Sequence, residues 1–160
     1  MPQKIEKFGN YYRIYFRSDN RDGGTQQLPQ FVLNYPSGTG KKQAKYCRCV
    51  LRDMYFNDKD LDTPCCFLYW TVPMPNQFYS GTPRPMILGT FKAERYENGA
   101  ATAGGLAGIF QPFGSLKDGG QLCGNPFAQL ITFEVREADG TLVDPEGRWA
   151  WTVDIELQEN

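Results

Sequence analysis

The sequence predicts an all-β protein, a sandwich of two antiparallel sheets with about four strands in each. The first observation is a set of short segments that are apolar or alternate between apolar and polar residues, and no amphipathic helix of ordinary length accompanies them. The second is that the 17 glycines and 11 prolines cluster between these segments, where they mark turns. A chain of 160 residues fits one domain, so residues 1–160 are assigned to a single sandwich, with 1–10 as a short polar lead.

The two clearest strands lie in the last third of the chain, between residues 129 and 157. Their apolar residues occupy alternate positions, the pattern of a strand with one buried and one solvent-facing side: Ile131, Phe133 and Val135 in the first, and Trp149, Trp151, Val153, Ile155 and Leu157 in the second. Turn signals at 139–140 and 145–147 separate the two strands. We therefore expect a long antiparallel pair that is joined by a folded loop.

The remaining elements are assigned in the same way. Segments that predict further strands are 11–17, 30–33, 45–56, 65–72 and 86–93, with 109–113 and 121–123 as weaker candidates. Segment 65–72 is almost continuously apolar, which predicts a strand covered on both faces. We expect irregular loops at 73–85, which holds four prolines, and at 96–108, which is rich in Gly and Ala.

The charge of the chain argues against a role in neutralising phosphates. Seventeen basic and 18 acidic residues give a net charge of −1, so little or no direct binding to nucleic acid is expected. Residues 1–80 carry 11 basic and 7 acidic side chains, whereas residues 81–160 carry 6 and 11. This asymmetry is explained either by solvated loops or by attraction between opposite faces of neighbouring copies.

The cysteine and histidine content limits the kinds of catalytic and metal site that the chain can form. The five cysteines are odd in number and lack the spacing of a zinc ribbon, so we expect free, mostly buried thiols and folding in a reducing compartment: Cys47, Cys49, Cys65, Cys66 and Cys123. The absence of His excludes Ser-His-Asp and Cys-His catalysis and His-based metal sites. We expect no signal peptide and no membrane span, because no apolar run has the necessary length.

Three segments resemble known binding motifs but lack the residues or the spacing that those motifs require. Residues 36–42 resemble a phosphate-binding loop but lack its first Gly and the Ser or Thr that binds magnesium. Gly104, Gly105 and Gly108 miss the spacing of a dinucleotide fingerprint. The aspartates at 58, 60 and 62 resemble the start of a calcium loop that lacks its Gly and distal Glu. No catalytic, cofactor-binding or metal-binding residue is assigned.

Two sets of surface residues remain. Glu134 with Asp154 or Glu156 would suit a glycosidase only if the carboxyl groups faced one another across a cleft, and an ordinary solvent-exposed face explains them better. Six aromatic residues that look exposed would suit either sugar stacking or a subunit interface: Tyr11, Tyr15, Tyr55, Phe78, Tyr79 and Tyr96.

The order of elements ends in Ile-Thr-Phe-Glu-Val-Arg-Glu-Ala-Asp-Gly-Thr-Leu at 131–142 and the alternating Trp149–Leu157 strand, and it resembles the single jelly-roll capsid proteins of icosahedral DNA viruses. The likeness is to the small vertex (penton) proteins that accompany a larger major capsid protein. It implies a jelly-roll sandwich, a homo-oligomeric ring of five, a virion location, a neighbouring major capsid protein as partner, and no catalytic residues. The short lead, with Lys4 and Lys7, differs from the basic genome-binding arm of many capsid proteins and favours a vertex or cementing role.

Two alternatives stay open. A carbohydrate-binding sandwich, acting as a host-recognition module, would use exposed loop aromatics such as Phe78 and Tyr79. An enzyme that works without His is the third hypothesis, and no convergence of acidic residues in the sequence favours it. An isolated sandwich carries no functional signature by its fold alone.

Overall fold

A computed structural model describes residues 3–40, 44–55, 65–74, 86–93, 96–97, 100–101, 106–110, 120–145 and 147–158. The aspartates at 58, 60 and 62, the Pro-rich loop with Phe78 and Tyr79, and the glycines at 104 and 105 lie outside these residues. So do the two lysines that end the loop at 36–42.

The described chain is built from strands and one short 3₁₀ turn, Ser18–Asn20. In order, the strands are β1 (Lys4–Phe8), β2 (Tyr11–Arg17), β3 (Gly23–Gly24), β4 (Pro29–Val32), β5 (Tyr46–Tyr55), β6 (Cys65–Trp70), β7 (Met86–Ala93), β8 (Tyr96–Glu97), β9 (Ala100–Ala101), β10 (Leu106–Phe110), β11 (Gln121–Gly124), β12 (Leu130–Glu137) and β13 (Ala150–Leu157). The all-β prediction is confirmed.

Two antiparallel sheets of five strands each form a sandwich. Sheet one has the order β1-β2-β13-β5-β11, and sheet two has the order β7-β6-β12-β4-β3. On one side β10 pairs with both β5 and β7 and links the sheets, whereas β8 and β9 pair only with each other. Among the described residues β1 and β3 form the two ends of the path, so the sandwich is not a closed barrel.

The strand order is that of a jelly roll. Numbered along the chain, the eight principal strands are β2, β4, β5, β6, β7, β11, β12 and β13. Sheet one contains them in the order first, eighth, third, sixth, and sheet two in the order second, seventh, fourth, fifth. In each sheet a late strand lies between two early ones, which is the double Greek key of the jelly-roll sandwich.

The expected pairing of the last two strands is wrong. β12 lies between β6 and β4 in sheet two, whereas β13 lies between β2 and β5 in sheet one. The loop between them therefore crosses from one sheet to the other, and the apolar sides of the two strands meet across the core. The rings of Phe133 and Trp151 are 4.9 Å apart at their centroids.

Three smaller predictions also need correction. The polar lead forms the edge strand β1, which turns into β2 through Gly9 and Asn10; Gly9 has φ +57°, the positive value that a type II′ hairpin turn needs at its first position. Part of the Gly- and Ala-rich region expected to be a loop is strand β10. β6 is buried on one side only, since Phe67 and Tyr69 on its other side are half-buried.

The core is dominated by aromatic rings between the sheets. Phe16 lies 4.8 Å from Phe133 and 5.5 Å from Trp151, and Trp149 stacks on Trp151 at 4.0 Å. Trp149 also donates its indole N–H to the carbonyl of Gln26. In the described part of the chain, the Trp151 indole is the one fully buried side-chain donor that lacks a hydrogen-bond partner.

Candidate functional site

The outer face of sheet one, called the charged face below, carries most of the ionisable side chains on the strands. Cross-strand register places nine charged residues on it: Lys4, Glu6, Arg13, Arg17, Arg48, Arg52, Asp53, Asp154 and Glu156. Tyrosine rings lie among them, with Tyr11 and Tyr15 on β2 and Tyr46 and Tyr55 on β5. Charged groups interspersed with aromatic rings make this face suited to water and to polar partners.

Arg13 and Asp154 form the central ion pair of this face. The guanidinium donates to both carboxylate oxygens, with Nε to Oδ1 at 2.8 Å and Nη2 to Oδ2 at 3.2 Å. The pair is nearly covered, since the side chains are 14% and 9% exposed. The hydrogen bond to Asp154 raises the pKa of Arg13.

Aromatic rings and a second arginine cover the pair. The Arg13 guanidinium carbon lies 4.6 Å from the centroid of Phe8 and 5.8 Å from that of Tyr11, and these two rings stack at 5.6 Å. Arg52 approaches Asp154 from the other side at 4.0 Å. The expectation that Asp154 faces solvent is therefore wrong, because β13 is a central strand whose neighbours supply cations over it.

The outer face of sheet two, called the neutral face below, is different in character. Its described side chains are mostly apolar or uncharged: Gln30, Val32, Phe67, Tyr69, Thr71, Ile87, Thr90, Leu130 and Thr132. Glu134 and Arg136 are the two charged side chains that the structure describes on this face, and they bind one another with Nε to Oε1 at 3.1 Å. Because Arg136 and Tyr69 flank it, Glu134 is buried, which corrects its expected exposure.

The candidate carboxylate pair does not converge. Glu134 lies on the neutral face, whereas Asp154 and Glu156 lie on the charged face. The two sets therefore point away from opposite sides of the sandwich. The two-carboxylate arrangement of a glycosidase requires both groups on one cleft, and the structure does not bring these three residues together.

One end of the sandwich holds a small cavity of about 220 Å³. It is lined by Lys7, Gly9, Asn10, Tyr12, Gly40 and Leu157. The described part of the loop at 36–42 forms the rim of this cavity. There the Thr39 hydroxyl donates a hydrogen bond to the carbonyl of Pro36 and accepts one from the Tyr12 hydroxyl. The described part of the loop lies between the strands β4 and β5, so the next described element is a strand and not the helix that follows a phosphate loop.

The five cysteines form no disulfide, and four of them are buried as the sequence indicated. Cys47 and Cys123 are cross-strand partners in β5 and β11. A hydrogen bond to Cys123 and burial raise the pKa of the Cys47 thiol. The hydrogen bond with Cys47 lowers the pKa of Cys123, but the bond with Cys49 and burial raise it by more.

We expect one thiol to react in the native protein. Cys65 is exposed, whereas the other four thiols are buried and shielded from solvent, so a thiol-specific reagent should modify about one equivalent. All five should react in urea. Replacement of Cys65 by Ser should abolish the rapid reaction of the native protein with the reagent. If another thiol of that variant reacted as rapidly as Cys65 does, the burial of the other four cysteines would be contradicted.

The described residues contain no group of three or more His, Cys, Asp or Glu side chains placed to hold a metal ion. No helix within the described ranges has the length and apolar character needed to cross a lipid bilayer. Comparison with known proteins adds no relative: no protein-family model, no curated protein and no solved structure matches the chain.

Proposed function

We propose that the protein is a structural subunit of a viral shell, a single jelly-roll capsid component at the vertex that assembles as a ring. The observation that carries the proposal is the strand order, in which β13 lies between β2 and β5 and β12 lies between β4 and β6. Jelly rolls with this order form viral capsid domains and also lectin and cupin domains. The proposed partners are further copies of the chain and a neighbouring major capsid protein.

The outer faces add support for an assembly role. The described strands expose large apolar or aromatic side chains on both sheets: Phe8, Val32, Tyr46, Tyr55 and Leu130. Aromatic and arginine side chains are enriched at subunit interfaces. A shell subunit needs apolar surface to offer to its neighbours, because each copy in a ring contacts two others.

We expect the purified protein to form a discrete ring, most simply of five copies. Native mass spectrometry and light scattering across concentration and salt would measure this. A monomer of 18.2 kDa at every concentration and salt would contradict the proposal. A five-fold species would direct attention to the lateral surfaces of the subunit.

A carbohydrate-binding module is the second candidate, and the stacked Phe8 and Tyr11 rings on the charged face favour it. Flat aromatic surfaces stack on sugar rings. A glycan array would test this candidate directly, with Phe8→Ala as the variant expected to lose binding. If no glycan on the array bound and the protein formed a ring in solution, the shell subunit would be favoured over the carbohydrate-binding module.

A further inference from the structure

We propose that the neutral face is the surface that a second copy of the chain covers, and that the charged face stays in solvent. The inference rests on the proposed function, because it names the surface by which the ring is built. It follows from the difference in charge and in exposed apolar side chains between the two outer faces. Neither the strand order nor the packing of the core requires this difference.

Charge distinguishes the two faces most clearly. Register places nine charged residues on the strands of the charged face, against Glu134, Arg136 and Lys92 on the strands of the neutral face. Removing a charge from water is costly unless a partner is positioned for it. Covering the neutral face reduces that cost, because Glu134 and Arg136 already bind one another and Arg136 also donates to the carbonyl of Gly140.

The two exposed aliphatic side chains of the described strands lie on the neutral face. Leu130 is 55% exposed and Val32 is 40% exposed. The two are direct cross-strand partners in β12 and β4, so they form one continuous apolar spot rather than two scattered residues. Phe67 and Tyr69 continue the face toward β6, with their rings 6.4 Å apart.

The size of the neutral face suits a subunit contact. The four strands β4, β6, β7 and β12 are 4 to 8 residues long. At about 4.8 Å between strands and roughly 3.3 Å per residue they give a flat area of roughly 400 Å² before side-chain relief is counted. A standard interface takes about 800 Å² from each partner, so this face supplies about half of one. A face of this size with few charges suits another copy better than a strongly acidic or basic partner.

The contact in a five-membered ring is heterologous. An isologous contact pairs the same surface of two copies, and such pairs alone do not close an odd ring. The neutral face therefore covers a different surface of the next copy. That surface is not the charged face, because burying its ionised groups would leave several without water.

Leu130→Glu tests the proposal, with Tyr46→Glu as the matched control. Tyr46 is 41% exposed and lies on the charged face, so both variants place a carboxylate at an exposed strand position. We expect Leu130→Glu to raise the concentration for half-assembly about tenfold or more, as the loss of a central interface residue does. Tyr46→Glu should change it by less than about twofold, in the range of a residue outside the contact.

Native mass spectrometry would measure assembly, and circular dichroism and thermal unfolding would confirm that both variants fold. Val32→Glu is a second variant with the same expected loss. If Leu130→Glu and Val32→Glu assemble like the unmodified protein, or if Tyr46→Glu weakens assembly equally, the assignment of the face is wrong while the shell role stands. If the unmodified protein never assembles, both proposals fall.

Discussion

Phe133→Ala should lower the free energy of unfolding by about 3–5 kcal/mol, because it removes a ring from the centre of the aromatic core. Phe133 is fully buried, and its ring lies against Phe16 and Trp151 of sheet one and against Phe31 of sheet two. Its neighbours Phe16 and Trp151 are held by sheet one, so they cannot collapse into the space without moving strands. The measurement is urea unfolding monitored by tryptophan fluorescence.

Two control variants separate cavity formation from other effects. Phe133→Leu keeps most of the volume and should cost less than half as much as the alanine variant. Phe67→Ala removes the same ring from a half-buried position on the outer side of β6, and should cost less than Phe133→Ala. Equal losses for Phe67→Ala and Phe133→Ala would show that the core does not lie where the structure places it.

Arg13→Met should destabilise the protein by about 3 kcal/mol, since it leaves the Asp154 carboxylate buried without its bidentate partner. Arg52 offers partial compensation at 4.0 Å, which keeps the loss at the lower end of the range for a broken buried pair. The double variant Arg13→Met with Asp154→Leu should be more stable than Arg13→Met alone, because it removes the uncompensated charge. Urea unfolding of the four proteins in this cycle measures the coupling.

Arg17→Met is the matched control for that cycle. Arg17 pairs with Asp19 at 2.8 Å, but the two side chains are well exposed to solvent. Its replacement should change stability by less than about 1 kcal/mol, the usual value of a surface ion pair. If Arg17→Met cost as much as Arg13→Met, burial would not explain the strength of the Arg13–Asp154 pair.

Alternation in the sequence was sufficient to locate most strands, and it could not determine which strands pair. Ile131 to Val135 and Trp149 to Leu157 show the same pattern, because each strand has one side on the core whichever sheet it joins. β12 and β13 are each flanked by strands that lie far away in sequence. A local pattern holds no information about such neighbours, which is why the expected pair proved to be two strands in opposite sheets.

The charged residues show a second limit of sequence patterns. Asp154 and Glu134 occupy the polar positions of their strands as expected, yet both are buried. Arg13 is 141 positions away from Asp154 in the sequence, so no local sequence pattern could predict that Arg13 covers Asp154. Glu134 had a closer signal, since Arg136 is two residues away on the same side of β12. The contrast between the charged and neutral faces likewise required the register of every strand.

The position of β13 at the centre of sheet one also affects biosynthesis. The hairpin of β1 and β2 is synthesised well before β13, the strand that pairs with β2. Until then β2 and β5 each have an open edge, and their apolar sides lack the neighbouring rings of Trp149 and Trp151. Folding of sheet one is therefore delayed until β13 has emerged from the ribosome, and until then the chain depends on chaperones or on rapid synthesis to avoid pairing with other chains.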